Sequence, residues 1–214
     1  MRLVLPRLYV ILDAALITSP EGDCALSLAE AGVRLLQYRD KRAPARQYLD
    51  SSRQLTELLR PRSVSLIVND RPDVAFLAGA KGVHVGQEDL DVEEARRVAG
   101  PDKLVGVSTH DLEQFERAAS SSADYIAVGP VYTTSTKANP APVVGVDFVR
   151  RVRPLTDKPI VAIGGITLER AAAAVEAGAD CVAVISGILS APDPGQSVRQ
   201  YIIALESAKF AAAV

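Results

Sequence analysis

Eight short apolar runs govern what this chain can fold into; each ends in glycine, charged or hydroxyl residues and is followed by a helix-like stretch. They begin near Leu8 (LYVILD), Val33 (VRLLQYRD), Val64 (VSLIVND), Gly82 (GVHVGQED), Lys103 (KLVGVST), Asp124 (DYIAVGP), Pro159 (PIVAIGG) and Asp180 (DCVAVISG). Continuous β-branched runs without polar alternation suit parallel strands covered on both faces. Strands alternating with helices make βαβ units, and eight of them predict one α/β domain over residues 1–214, a closed (β/α)₈ TIM barrel. Every strand of such a barrel aims its C-terminal end at the same mouth. Arg39, Asp70, Asp89, Ser108, Lys137 and Gly165 are far apart in sequence, yet are expected around one site.

The length of 214 residues lies near the short end of the barrel range, roughly 200 upwards. A hydrophobic share of 48% supports a substantial core. The net charge of −2 gives no electrostatic reason to expect nucleic acid or an acidic membrane as partner. No apolar run approaches the roughly 20 residues needed to span a bilayer. The opening MRLVLPRLYV leads straight into the first run without the form of a signal peptide, so a cytoplasmic chain is expected. Cys24 and Cys181 share no metal-ligand spacing and are expected as buried, inert thiols. Oligomeric state stays open, a homo-oligomer included.

Between the runs, the helices carry their own punctuation. Pro44 suits a first helical turn and Pro61 follows the end of that helix, with Leu49, Leu55, Leu58 and Leu59 as its expected inner face. Asp91 is placed as an N-cap ahead of an acidic first turn, Asp111 opens a further helix, and the helix from Thr167 to Ala177 ends at Gly178.

The chemistry gathers where the runs end. In Gln37-Tyr38-Arg39-Asp40-Lys41, strand alternation puts Gln37, Arg39 and Lys41 on one face and Tyr38 and Asp40 on the other. Two cations at a barrel mouth make an anion clamp, or else form salt bridges to neighbouring loops. Asp70, after Asn69, and Asp89 can meet as hard oxygen ligands for Mg²⁺ shared with a phosphorylated substrate. Either aspartate alone could instead cap the next helix. His84 lies within the fourth run and is expected as a hydrogen-bonded barrel residue; His110 is expected near the site. The longest loop, 130–142, carries Thr133, Thr134, Ser135, Thr136 and Lys137, whose hydroxyls and ammonium suit phosphate oxygens. Gly164-Gly165-Ile166 and Ile185-Ser186-Gly187 close runs seven and eight, where such barrels often bind phosphate on backbone N–H groups.

Together these segments resemble the thiamine-phosphate synthase family. The matching stretches are QYRDK (37–41), VND (68–70), GVHVGQED (82–89), VGVSTH (105–110), GPVYTTSTK (129–137), AIGGI (162–166) and VISG (184–187). The resemblance implies a Mg²⁺-dependent transferase of thiamine biosynthesis. It joins 4-amino-5-hydroxymethyl-2-methylpyrimidine diphosphate to a thiazole phosphate and releases pyrophosphate, with CO₂ lost where the thiazole arrives carboxylated. It implies that Gln37, Tyr38, Arg39, Asp40, Lys41, Asn69, Ser108 and Lys137 bind the pyrimidine diphosphate, with Arg39, Lys41, Ser108 and Lys137 catalytic. It further implies Mg²⁺ on Asp70 and Asp89, and thiazole-phosphate contacts from Thr134, Ser135, Thr136, Gly165, Ile185 and Ser186. At the end of the first run Leu12-Asp13 stands where the family often has Thr-Asp.

Three rival readings share the barrel: a thiazole tautomerase, a generic phosphosugar isomerase or aldolase, and a non-catalytic phosphate-ligand barrel. The tautomerases carry a histidine in the loop after the sixth strand, and this chain has none there. The joint set Arg39, Lys41, Asp70, Asp89 and Lys137 argues against all three.

Overall fold

The computed structural model describes residues 3–134, 136 and 141–211, with side chains through Ala208. Strands β1 (Leu8–Asp13), β2 (Leu35–Arg39), β3 (Ser65–Asn69), β4 (Gly82–Val85), β5 (Leu104–Thr109), β6 (Tyr125–Val128), β7 (Ile160–Ile163) and β8 (Cys181–Val184) alternate with helices. All pair in parallel and in sequence order, and β8 returns to β1 to close the barrel. The helices that cover it are α1 (Glu21–Glu30), α2 (Ala45–Leu59), α3 (Pro72–Leu77), α4 (Val92–Ala99), α5 (Leu112–Ser120), α6 (Gly145–Val152) and α7 (Leu168–Glu176). A short α8 (Ser186–Leu189) and a long α9 (Pro194–Ala211) complete the chain. Among the described residues, no helix is long and apolar enough to cross a membrane.

Period-two alternation divides the apolar residues into two cores. Tyr9, Ile11, Leu35, Ile67, Tyr125, Ala127, Val161, Cys181 and Ala183 fill the barrel. Val10, Leu12, Leu36, Tyr38, Val68, Val83 and their neighbours pack outward under the helices. Cys181 is buried and Cys24 only half-buried; burial pushes both thiols up, which keeps them protonated.

The inner face of α2 differs from the expected leucine set. Tyr48, Ser52, Leu55, Thr56 and Leu59 are buried, a regular helical stripe, whereas Leu49 and Leu58 sit half-exposed at its edge. Two hydroxyls are tolerated in that interface because each donates to the carbonyl one turn back, Ser52 to Tyr48 at 2.7 Å and Thr56 to Ser52 at 2.8 Å. Pro44 stands at the N-cap of α2, one residue before the first turn.

Gly106 is a packing requirement. It lies in register between His84 on β4 and Tyr125 on β6. A Cβ there would meet the Tyr125 ring at 2.0 Å. Gly106→Ala should therefore destabilise the barrel by about 1–3 kcal/mol through overpacking. Urea unfolding checks this: the midpoint should fall with the slope unchanged, and an unchanged midpoint would mean Tyr125 does not need that space.

Candidate active site

Alternation delivers Gln37 and Arg39 into the mouth, as their spacing predicts. Asp13 is the in-register neighbour of Arg39 across β1 and β2, and the two form an ion pair with Asp13 buried. Lys41, just beyond β2, pairs with Asp70 at the end of β3. The alternative that these cations merely bridge to neighbours is therefore met in part. Both cations nevertheless remain at the mouth, Lys41 with its side chain more than half exposed at 55%.

Asp70 and Asp89 are not helix caps. Arg71 holds the N-cap position of α3, and Asp91 caps α4 in a reciprocal box with Glu94. Asp70 instead adopts a left-handed backbone, φ 62°, and its N–H donates to the His84 carbonyl at 2.8 Å. A non-glycine residue in that region is held there by its surroundings. Asp89 accepts from the Gly86 N–H at 2.7 Å. Its carboxyl is pushed above the usual range by partial burial first, and then by the hydrogen bond and charge of Asp70; the Gly86 N–H and the Lys41 charge pull it the other way. Two neighbouring carboxyl groups of this kind form an oxygen donor set that a divalent cation can occupy. No cluster of three or more His, Cys, Asp or Glu exists among the described residues, so the remaining ligands of such an ion would come from substrate and water.

Tyr38 and Asp40 turn away from the mouth, as their positions in the alternation require. The Tyr38 ring packs on Tyr48 at 5.1 Å and its hydroxyl donates to Glu21 at 2.6 Å. Asp40 accepts from the Arg42 and Ala43 N–H groups at 2.8 and 3.1 Å, shaping the turn into α2. Both side chains are therefore engaged away from the face that Gln37 and Arg39 present to the mouth.

Beneath the mouth a polar chain crosses the barrel. Gln37 Nε2 donates to the Tyr9 hydroxyl at 2.8 Å, and the Tyr9 and Tyr125 hydroxyls are 3.2 Å apart. His84 Nδ1 lies 3.1 Å from the Tyr125 hydroxyl and its Nε2 lies 2.9 Å from Ser108 Oγ. Burial pushes both phenols far up, so they keep their protons. His84 is thus the hydrogen-bonded barrel residue its position predicts. Asn69 meets Tyr48 through its main chain, N–H and carbonyl, at 3.2 and 3.1 Å.

Beside the charged cluster lies a cavity of about 340 Å³. Thr134 and Thr136 from the loop after β6, Gly165 after β7, and Ile185 and Ser186 after β8 line it, together with Ser108 and His110. Arg39, Lys41, Asp70 and Asp89 lie outside its walls. Gly165 has φ 62°, and a Cβ there would meet the Thr133 carbonyl oxygen at 2.3 Å, so the two loops touch because this residue has no side chain. Ser135 and Lys137 fall outside the described residues.

One residue of this wall went unread in the sequence. Arg170 lines the cavity, donates to the Gly165 carbonyl at 3.1 Å and stands 4.7 Å over the Tyr132 ring. Its signal was positional: it sits in the first turn of α7, and helical side chains lean toward the helix N-terminus, here the mouth.

The raised Asp89 carboxyl sets a pH dependence. A carboxyl that holds its proton more tightly when folded gives a contribution to stability that falls as pH rises from the ordinary carboxylate range through the folded value. In chelator-treated protein, Asp89→Asn should remove that decline and raise the melting temperature at neutral pH. A lower melting temperature for the variant would show that ionised Asp89 stabilises the fold.

Residues 8–188 match the thiamine monophosphate synthase family. The chain is 48% identical to the thiamine-phosphate synthase of Koribacter versatilis, over 96% of this chain and 98% of that one. It is 44% identical to that of Chloroflexus aurantiacus, over 91% and 90%. A solved structure, thiamine phosphate pyrophosphorylase from Pyrococcus furiosus, superposes with a TM-score of 0.87 at 32% identity, covering 94% of this chain and 96% of that one. The chain belongs to the thiamine monophosphate synthase family.

Proposed function

We propose that this chain is a thiamine-phosphate synthase, a transferase whose residues 1–214 act as one barrel domain. It joins 4-amino-5-hydroxymethyl-2-methylpyrimidine diphosphate to thiazole phosphate, or to its carboxylated form. The observation that carries this reading is the adjacency, at one mouth, of a two-carboxylate, two-cation cluster and a glycine-walled cavity, with Ser108 on the cavity wall. A tautomerase or a phosphate-binding barrel would need the cavity; neither would need the cluster.

The proposed roles follow from position. Gln37, Arg39, Lys41 and Asn69 face the diphosphate of the pyrimidine substrate, with Tyr38 and Asp40 contributing main chain. Asp70 and Asp89 would hold Mg²⁺, and an ion there supplies charge neutralisation to a departing pyrophosphate. Lys137 and Ser135 complete the loop that Thr134 and Thr136 begin, Lys137 as a compact cation toward the leaving group. Gly165, Ile185 and Ser186 hold the thiazole phosphate on backbone N–H groups and the Ser186 hydroxyl.

In the reaction, the bond between the pyrimidine methylene and the diphosphate oxygen breaks and its electron pair leaves with pyrophosphate. The lone pair of the thiazole nitrogen forms the new C–N bond. The aminopyrimidine ring is electron-rich enough to carry positive charge at the methylene, so ionisation precedes attack and no protein nucleophile is needed. Arg39, Lys41 and Lys137 offset the charge growing on the leaving group, and the two seats hold the reacting atoms in line.

Purified protein should release pyrophosphate only when both substrates and Mg²⁺ are present, and EDTA should stop it. Asp70→Ala should abolish synthesis while circular dichroism still reports a folded barrel. Mg²⁺-dependent turnover close to wild type in that variant would remove Asp70 from the metal assignment, and no pyrophosphate from the wild-type protein would overturn the reading.

A further inference from the structure

The polar chain under the mouth has a direction, and it can be read one proton at a time. It starts at the Gln37 amide nitrogen, which can only donate, and which donates to the Tyr9 oxygen at 2.8 Å. A phenol has one proton, and the other hydroxyl within reach of Tyr9 is that of Tyr125, at 3.2 Å. Tyr9 therefore donates to Tyr125, and Tyr125 must pass its own proton to His84 Nδ1, 3.1 Å away. An accepting Nδ1 requires a neutral imidazole with its proton on Nε2. That N–H points at Ser108 Oγ at 2.9 Å. The Ser108 oxygen is thereby occupied from below, and its own proton is left for the mouth, where Ser108 lines the cavity.

We infer that Tyr9, Tyr125 and His84 form a polarised relay that holds His84 in the Nε2–H tautomer and presents the Ser108 hydroxyl to bound substrate as a hydrogen-bond donor. The three are positioning residues, and they act through Ser108. What Ser108 meets rests on the proposed function: an acceptor atom of the pyrimidine diphosphate, to which a preset donor strengthens as negative charge accumulates.

Several features are built for this relay. Gly106 separates His84 from Tyr125 in the register, and its missing side chain lets the Tyr125 ring reach across β5 to the imidazole. The His84 and Tyr125 rings stack with centroids 5.6 Å apart. Among the described residues, no buried side-chain nitrogen or oxygen lacks a partner, so reversing one link alone would strand a proton or a lone pair in the interior. With a neutral imidazole, only a concerted reversal, beginning with the Gln37 amide turned over, satisfies every group. That arrangement makes Ser108 an acceptor toward the mouth, the chemical opposite, and a measurement separates the two.

The chain contains two histidines, His84 and His110, so long-range ¹H–¹⁵N spectra of the imidazoles are readily assigned with a His110→Gln control. In the wild-type protein at neutral pH, His84 should show a protonated Nε2 and an unprotonated Nδ1. A protonated Nδ1, alone or in an imidazolium, overturns the relay whatever substrates the protein takes, and this test needs no substitution in it. Tyr125→Phe should convert His84 to a mixture of tautomers and lower kcat by roughly 10-fold, as losing an outer hydrogen-bond partner does, with the KM for thiazole phosphate unchanged. His84→Gln, whose amide nitrogen lies near the place of Nε2, should keep more activity than His84→Asn. Wild-type kcat in Tyr125→Phe, or equal activity in the two His84 variants, would contradict the positioning role. An Nε2–H tautomer in a protein that makes no thiamine phosphate would leave the relay standing and refute the proposed function.

Discussion

Closure of the sheet is the constraint on which the rest depends. When β8 pairs with β1, each strand has two neighbours and every residue has a fixed side, inward or outward. A one-residue slip in any strand would turn its functional side chains under the helices. Asp13 and Arg39 meet because they are register partners, and His84, Gly106 and Tyr125 line up across three strands for the same reason. The site is thus a consequence of register rather than of loop placement alone.

Upon that frame the mouth carries opposed electrostatics. Lys41 pairs with Asp70, yet Asp70 also crowds Asp89, whose carboxyl is pushed up by burial and by that neighbour. Such a cluster is held against its own repulsion by a barrel whose stability comes from elsewhere, from two apolar cores and a satisfied interior. Sites prepared for a charged ligand commonly carry this cost in the free protein. The glycine-walled cavity differs in kind: its described walls are mostly apolar, with hydroxyls from Ser108, Thr134, Thr136 and Ser186, and Arg170 as the cation among them. A charged cluster and a mostly apolar cavity in this way occupy neighbouring parts of one mouth.

Much of this was legible in the chain. All eight apolar runs became strands; β1 and β4 start where their runs do, and the other six start one or two residues later, because the first residue of a run often completes the turn. Alternation alone sent Gln37 and Arg39 inward and Tyr38 and Asp40 outward; the family resemblance, which groups all five residues, does not separate side chain from main chain. The Asp91 and Asp111 caps were readable from local pattern. The inner face of α2 was misread because leucine was weighted above spacing, whereas Ser52 and Thr56 satisfy their hydroxyls one turn back, Tyr48 satisfies its own on the Tyr38 and Asn69 carbonyls, and all three can be buried. The relay from Gln37 to Ser108 was invisible, since its links span up to 116 residues of sequence and depend on Gly106 having no side chain. The expectations for Ser135 and Lys137 fall outside the described residues.

The central claim is that the diphosphate seat and the cavity are separate and that the first requires a divalent cation. Calorimetric titration with inorganic pyrophosphate tests it most directly. Pyrophosphate should bind the wild-type protein with Mg²⁺ present, bind far more weakly in EDTA or to Asp89→Ala, and bind normally to Gly165→Ala, whose affinity for thiazole phosphate should be lost. Equal binding with and without Mg²⁺, or parallel loss of both ligands in Gly165→Ala, would contradict the account.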